Sequence, residues 1–103
     1  MTVTEVNGLQ EFREILQNHP AVLADFWAEW CGPCRFISPV VEKFSESTPN
    51  VYFVKVNVDV AEDISKEYGI RAMPTFILFK DGEKANQFSG ADPGKLEQLI
   101  QSA

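Results

Sequence analysis

A pair of cysteines constrains this chain more than any other feature. The two cysteines are separated by two residues and lie at the junction of a predicted strand and a predicted helix. Cys31 and Cys34 are the only cysteines among the 103 residues and lie in the segment WCGPC at 30–34. The apolar run at 21–28 predicts a buried strand before them, and the segment at 35–47 predicts a helix after them. A Cys-x-x-Cys pair at the start of a helix, within alternating strands and helices, is typical of a redox centre rather than a structural bridge.

The helix N-terminus is the physical reason why such a pair would be reactive. Backbone N–H groups in the first turn have no partner within the helix, and the helix dipole places partial positive charge there. A thiolate at Cys31, the expected N-cap, is stabilised by this field, and the thiolate is the species that attacks disulfides. Cys34 lies one turn further on, within reach for a disulfide. Pro33 suits the first turn, where its missing N–H costs nothing, and Gly32 lets a partner chain approach Cys31.

Two other uses of the cysteine pair have weaker support. A structural disulfide that closes so small a loop would stabilise the fold by only about 2 kcal/mol. A zinc or cluster site needs about four ligands, and the chain offers one other soft donor, His19, near the end of a different predicted helix. We therefore expect no metal site within one chain, while a cluster shared between two chains stays open.

Composition and charge narrow the class of protein. A length of 103 residues fits a single domain, residues 1–103, and a hydrophobic share of 45% is enough for a core. The net charge of −6 and a pI near 4.6 argue against nucleic acid and anionic membranes as partners. No apolar run approaches the length of a membrane helix, and the first residues do not resemble a signal peptide. We therefore expect a cytoplasmic protein, in which a disulfide is normally transient and catalytic; processing from a longer precursor stays open.

The rest of the chain alternates between helical and strand patterns, in the order βαβαβαββα. Asn7 with Gln10 predicts a capping box at the start of the first helix, and Asp59 with Glu62 predicts another at the start of the third. Asp92 is expected to cap the last helix. Strands are expected at residues 2–5, 21–27, 51–58, 75–80 and 84–89.

This order predicts an α/β fold with a mixed sheet. Asp81-Gly82 predicts a two-residue hairpin between the last two strands, whereas parallel pairs need helical crossovers. We expect four or five strands with helices on both faces of the sheet. The apolar stripe of the second helix is expected to comprise Phe36, Ile37, Val40, Val41 and Phe44.

Asp25 is the one charged residue in the predicted central strand and is a candidate base. Leu23 and Trp27, which share its face, are apolar, so we predict a buried carboxyl with a raised pKa rather than a solvent-facing one. A base is needed because Cys34, the deeper thiol, must lose a proton. Lys55, in the following strand, would tune the pKa of Asp25 if the two strands are adjacent. An ordinary surface lysine is an equally good interpretation of Lys55 from the residues alone.

The chain resembles the thioredoxin family over essentially its whole length. The features that carry the resemblance occur in the family's order and at close to its spacing: WCGPC at 30–34, Asp25, Lys55, Met73-Pro74-Thr75, FKDG at 79–82, and Gly90-Ala91. Arg35 stands where the family most often has Lys, and the charge is kept. The Gly-Pro between the cysteines is intact, whereas oxidising and isomerising relatives usually carry His there and glutaredoxins typically carry Pro-Tyr.

The resemblance implies the thioredoxin fold, three α/β/α layers with four helices, and the activity of a general protein disulfide reductase. Cys31 would attack a substrate disulfide, and Cys34 would resolve the mixed disulfide. No Gly-rich motif for a nicotinamide or flavin is present, so no cofactor is expected. Electrons would come from a separate thioredoxin reductase, whether NADPH- or ferredoxin-linked. Nothing demands more than a monomer.

The resemblance also implies a cis peptide bond before Pro74, opposite the cysteines. The backbone of Met73 would then pair with an extended segment of the substrate. We expect Trp30 to be partly exposed beside the cysteines and Trp27 to lie in the core. The residues expected to surround Cys31 as an apolar docking patch, or to set its properties, are Trp30, Gly32, Pro33, Ala72, Met73, Pro74, Gly90 and Ala91.

Two rival functions stay in view. One is an oxidase or isomerase of an oxidising compartment, which the Gly-Pro dipeptide and the missing signal peptide argue against. The other is a binding module, such as a subunit or holdase, in which the cysteines are incidental. Substituting Cys34 separates a catalyst from a binding module, because only a catalyst would stall as a mixed disulfide.

Overall fold

Nine elements follow one another in the predicted order, in a computed structural model that describes residues 3–103. They are β1 (Val3–Glu5), α1 (Leu9–Asn18), β2 (Ala21–Trp27), α2 (Gly32–Ser47), β3 (Tyr52–Asn57), α3 (Glu62–Glu67), β4 (Thr75–Lys80), β5 (Glu83–Ser89) and α4 (Pro93–Gln101). Thr2, predicted to begin the first strand, lies outside the described residues.

The five strands form one mixed sheet in the order β1-β3-β2-β4-β5. β1, β3 and β2 run parallel, and β4 and β5 are antiparallel additions. The edge strand β1 has three residues. The other edge, β5, has a register shift opposite Leu78 and Phe79. The predicted mixed sheet, with helices on both faces, is therefore confirmed, with five strands rather than four.

Side chains of the central strand β2 alternate between two hydrophobic cores. Val22, Ala24 and Phe26 pack with residues of α1 and α3 on one face of the sheet. Leu23 packs with residues of α2 and α4 on the other face. Because side chains alternate along a strand, Asp25 faces the same side as Leu23, toward α2.

The two predicted capping boxes are wrong. The N-cap of α1 is Gly8, and the backbone N–H of Leu9 donates to Asp63 Oδ2 at 2.9 Å. Asp63 belongs to α3, so the start of α1 is satisfied from a distant part of the chain. The N-cap of α3 is Ala61, with no side-chain cap, because the carboxylate of Asp59 is bonded elsewhere.

The cap of α4 and the last hairpin are confirmed. Asp92 Oδ1 accepts a hydrogen bond from the backbone N–H of Lys95 at 3.1 Å. Asp81 and Gly82 have φ values of 54° and 86°, as a two-residue type I′ turn requires.

The predicted stripe of α2 is correct except for Phe36. Ile37 and Val41 are buried, and Val40 and Phe44 are partly buried against the same core. Phe36 is 64% exposed. Successive residues of a helix are about 100° apart, so Phe36 lies about 140° from Val41 and faces solvent.

We predict that Gly82→Ala lowers the free energy of unfolding by about 1–2 kcal/mol. The reason is that a Cβ is disfavoured at φ 86°. Gly94→Ala is the control, because Gly94 lies in α4 and has no positive φ. It should be neutral or stabilise by up to about 1 kcal/mol. Urea unfolding measures both, and equal midpoints for the two variants would contradict the turn assignment.

Candidate active site

The two cysteines lie at the amino end of α2 and are joined by a disulfide, so the structure is that of the oxidised chain. Cys31 is the N-cap of α2, as predicted, and Pro33 lies in the first turn. The backbone N–H of Cys34 donates to Cys31 Sγ at 3.1 Å. A donor aimed at this sulfur stabilises a thiolate once the pair is reduced.

The loop before β4 closes over Cys31. Cys31 Sγ lies 3.7 Å from the carbonyl oxygen of Met73. This is a van der Waals contact rather than a hydrogen bond, because a disulfide sulfur carries no proton. The Met73-Pro74 peptide bond is cis, as the resemblance implied. The backbone N–H of Gly90 donates to the carbonyl of Pro74 at 2.9 Å, which brings the end of β5 to this loop.

The remaining residues of the expected docking patch differ in exposure. Gly32, Pro33 and Ala72 are exposed, Met73 is half-buried, and Pro74 is buried. Gly90 and Ala91 are also half-buried. The structure thus places Met73, Pro74 and Gly90 together beside Cys31. The buried ring of Pro74 contributes shape to the patch rather than accessible surface.

Asp25 is buried, as predicted, with 7% of its surface exposed. Burial raises its pKa from 3.8 to about 7, and the positive charge of Lys55 opposes part of that rise. Its Oδ1 atom has no hydrogen-bond partner within residues 3–103. A carboxyl in this environment exchanges a proton near neutral pH, which is the property of a useful general base.

Beside the disulfide lies a partly open cavity of about 90 Å³. Its walls are formed by Asp25, Trp27, Cys34, Arg35, Ser38 and Lys55. Trp27 Nε1 is buried there and, like Asp25 Oδ1, has no hydrogen-bond partner in the described part of the chain. A space of this size accommodates water, which needs about 30 Å³ per molecule in the liquid. Cys34 and Asp25 both line this cavity.

Lys55 neighbours Asp25 but forms no ion pair with it. The two residues are in register on the adjacent parallel strands β3 and β2. Lys55 Nζ lies 5.8 Å from the ring centroid of Trp27, and no carboxylate of residues 3–103 lies within 4.0 Å of it. Lys55 is half-buried, and its positive charge lowers the pKa of Asp25 through space, as predicted for adjacent strands.

The two tryptophans occupy different environments. Trp30 is 66% exposed, as expected, and its Nε1 donates to Asp59 Oδ2 at 2.9 Å. Trp27 is half-buried and packs against Cys31 and Cys34 rather than in the main core. Sequence reasoning missed the role of Asp59 as acceptor, since nothing local marks a contact across 29 residues.

Sequence reasoning also missed Ser38 as part of the cavity wall. Helical spacing could have found it, because Ser38 lies one turn beyond Cys34 on α2. Among residues 3–103, no group of three or more His, Cys, Asp or Glu side chains is arranged to hold a metal ion. Within the same residues, no helix is long and apolar enough to span a membrane.

We predict that Asp25→Asn stabilises the oxidised protein increasingly as pH rises from 4 to 8. Between the unfolded pKa near 3.8 and the folded value of about 7, the folded wild type binds the extra proton. Its stability therefore falls as pH rises through that window, and the loss is complete above it. The shift corresponds to about 4 kcal/mol. Urea unfolding at several pH values measures the effect.

Glu97→Gln is the control for this prediction, because Glu97 is an exposed residue of α4. It should leave the pH dependence of unfolding as in the wild type. A constant difference between Asp25→Asn and the wild type from pH 4 to 8 would show that Asp25 does not titrate in this range.

Comparisons with known proteins agree with this geometry. The Thioredoxin family model matches residues 3–102. Thioredoxin-2 of Pyricularia oryzae is 51% identical over 97% of this chain, and the chain spans 58% of that relative's length. Thioredoxin of Coprinus comatus is 50% identical, with 98% of this chain and 97% of the relative covered.

Solved structures agree as well. The oxidised form of mitochondrial thioredoxin 3 from Saccharomyces cerevisiae superposes with a TM-score of 0.94 at 40% identity, covering 98% of this chain and 95% of that one. Plasmodium falciparum thioredoxin superposes with a TM-score of 0.95 at 37% identity, covering 97% and 98%. With a disulfide at the amino end of α2 and a match along nearly all its length, the chain belongs to the thioredoxin family of protein-disulfide oxidoreductases.

Proposed function

We propose that this chain is a general protein disulfide reductase in which Cys31 attacks the substrate and Cys34 resolves the mixed disulfide. The observation that carries the proposal is the position of the two sulfurs relative to the surface and the cavity. Both cysteines are shielded almost equally, at 4% and 5% exposed, so exposure does not assign their roles. Cys31 adjoins the exposed Gly32 and the Met73 carbonyl, whereas Cys34 lines the partly open cavity.

The reaction transfers two electrons from the dithiol to the substrate. In the reduced chain, the Cys31 thiolate attacks one sulfur of a substrate disulfide, the S–S bond breaks, and one substrate thiolate leaves. Cys34 then loses its proton and attacks Cys31 Sγ. The mixed disulfide breaks, the second substrate thiolate leaves, and the Cys31–Cys34 disulfide forms.

Asp25 accepts the proton of Cys34 through the cavity. Both residues line that cavity, and the pKa of about 7 keeps part of the carboxyl ionised at neutral pH. A base whose pKa lies near the working pH is partly in its unprotonated form and is still basic enough to take up a proton. Lys55 keeps the pKa of Asp25 from rising further, which enlarges the ionised fraction.

Substrates dock by their backbone against the loop of Met73 and Pro74. The half-buried Met73 presents its backbone beside Cys31, and Trp30 offers an exposed apolar ring on the other side of the motif. Ala72, Gly90 and Ala91 have small or absent side chains, so they leave room for a segment of varied sequence. Pairing through backbone groups does not select side chains, which suits a reductase of many proteins.

We further propose a separate thioredoxin reductase as the electron donor, a cytoplasmic location and a monomeric single domain over residues 1–103. Each oxidised turnover leaves the Cys31–Cys34 disulfide, which needs two electrons before the next cycle. One relative, Thioredoxin-3 of Saccharomyces cerevisiae, is a mitochondrial protein, so the location of this chain needs its own test. Another related structure concerns the resolution of a thiol in yeast mitochondrial 1-Cys peroxiredoxin by the glutathione/thioredoxin systems.

We predict that Cys34→Ser accumulates mixed disulfides with substrate proteins, because the resolving sulfur is absent. Cys31→Ser is the matched control and should trap none, since the attacking sulfur is absent. Non-reducing electrophoresis and intact mass before and after dithiothreitol measure the adducts. Trapping by Cys31→Ser alone would reverse the assigned roles. Binding that neither substitution alters would identify a binding module.

We predict that Asp25→Asn slows resolution of the mixed disulfide by about 10²-fold, the lower end of the usual contribution of a positioned base. In the wild type, the rate of this step should rise with pH and level off above about 7, the pKa of Asp25. Stopped-flow reduction of a fluorogenic disulfide in a single turnover measures it.

Lys55→Met is the companion variant for this measurement. Because Lys55 lowers the pKa of Asp25, its removal should move the inflection to higher pH while keeping the plateau rate. An unchanged profile in both variants would exclude Asp25 as the base.

A further inference from the structure

Three large apolar side chains are exposed within residues 3–103. Two of them are close to the active-site motif in sequence, and the third follows a residue that is hydrogen-bonded to the motif. They are Trp30, Phe36 and Val60, at 66%, 64% and 61% exposed. Trp30 precedes Cys31, and Val60 follows Asp59, the acceptor of the Trp30 indole. Phe36 belongs to neither the core nor the expected docking patch, so it requires a separate explanation.

Phe36 begins an apolar strip on the outer face of α2. Positions three and four apart lie one above the other on a helix, so Phe36 is stacked between Pro33 on one side and Pro39 and Val40 on the other. We call this surface the α2 strip. Its members are Pro33, Phe36, Pro39, Val40, Lys43, Phe44 and Ser47.

The far half of the α2 strip is concave. A surface groove of about 480 Å³ is lined by Pro39, Val40, Lys43, Phe44 and Ser47. Volumes of this order accommodate several side chains of a bound partner. The groove is therefore large enough for a peptide segment.

Lys43 is the only charged member of the α2 strip. It is exposed, and no carboxylate of residues 3–103 lies within 4.0 Å of its ammonium group. The acidic residues of this helix, Glu42 and Glu46, project about 100° and 60° to one side of Lys43. A cation left without a carboxylate within an apolar surface fits a partner that supplies both apolar side chains and a carboxylate.

The α2 strip is continuous with the surface at which any substrate must dock. It starts at Pro33, within the motif that carries Cys31. Lys43 lies twelve residues beyond Cys31, about 18 Å along a helix at about 1.5 Å per residue. An extended chain covers that distance in about five or six residues.

We propose that the α2 strip binds the substrate protein itself, through the segment two to six residues from the attacked cysteine. Phe36 and Val40 lie five and nine residues beyond Cys31, about 8 and 14 Å along the helix. The segment therefore carries apolar side chains about two and four residues from the cysteine, for Phe36 and Val40, and a carboxylate five or six residues away, for Lys43. The inference rests on the proposed function, because the attack by Cys31 fixes where the segment begins. It adds a side-chain preference to docking that is otherwise mediated by the backbone.

Two synthetic peptides cyclised by the same disulfide test this inference. One carries Leu two and four residues outside each cysteine and Asp six residues outside it, and the other carries Gly at the Leu positions and Ser at the Asp position. The readout is the ratio of kcat/KM for the two peptides, with the oxidised chain recycled by dithiothreitol. We expect the wild type to prefer the Leu/Asp peptide about tenfold, through a lower KM at similar kcat.

Phe36→Ser and Lys43→Glu should each reduce this preference at least fivefold, while the rate with the Gly/Ser peptide stays unchanged. Val60→Ser is the matched control, because it removes an equally exposed apolar side chain outside the α2 strip. It should keep the tenfold ratio. A third peptide carries Lys in place of Asp. The Lys43→Glu variant should prefer this third peptide over the Gly/Ser peptide, a result that damage to the fold would not produce.

Three results would overturn the inference. They are a ratio near one in the wild type, a ratio in Phe36→Ser equal to that of the wild type, and an equal loss of rate with both peptides in Phe36→Ser. Failure of the proposed function is distinguishable, because the wild type would then reduce neither peptide.

Discussion

The hydrogen bond from the Cys34 amide to the Cys31 sulfur is the interaction on which this active site depends. It makes the first cysteine the cap of α2, so that one sulfur lies at the positive end of a helix of 16 residues. The helix in turn packs on the sheet face that carries Asp25. Strand, cap and helix therefore place Cys31 at the amino end of the helix and Asp25 on the sheet face beneath that helix.

The buried carboxyl of Asp25 lowers the free energy of unfolding. A cost of about 4 kcal/mol above neutral pH is a large fraction of the 5–15 kcal/mol typical of small domains. The fold tolerates it because both faces of β2 are otherwise apolar, with the large side chains of Phe26 and Leu23 fully buried on opposite sides. The cavity beside Asp25 also has room for water, which a close-packed core would exclude.

The sequence predicted most of the fold because its strongest signals are local. The bounds of β2 and β4, the hairpin at Asp81-Gly82 and the cap at Asp92 follow from apolar runs and turn chemistry within a few residues. The errors arose where a partner is distant, as with Asp63, which satisfies the start of α1 from 54 residues away. The cavity was likewise beyond the sequence, since three elements form its walls. The catalytic and docking roles of the site residues stay predictions.

The edges of the sheet have a consequence for how the protein meets other chains. Unpaired strand edges recruit strands of other proteins. Here one edge is β1, only three residues long, and the other is β5, where the register shift leaves Ala85 without a partner in β4. Charged residues at Glu83 and Lys84 add to this protection. Neither edge of the sheet is thereby left as a ready template for a strand of another chain.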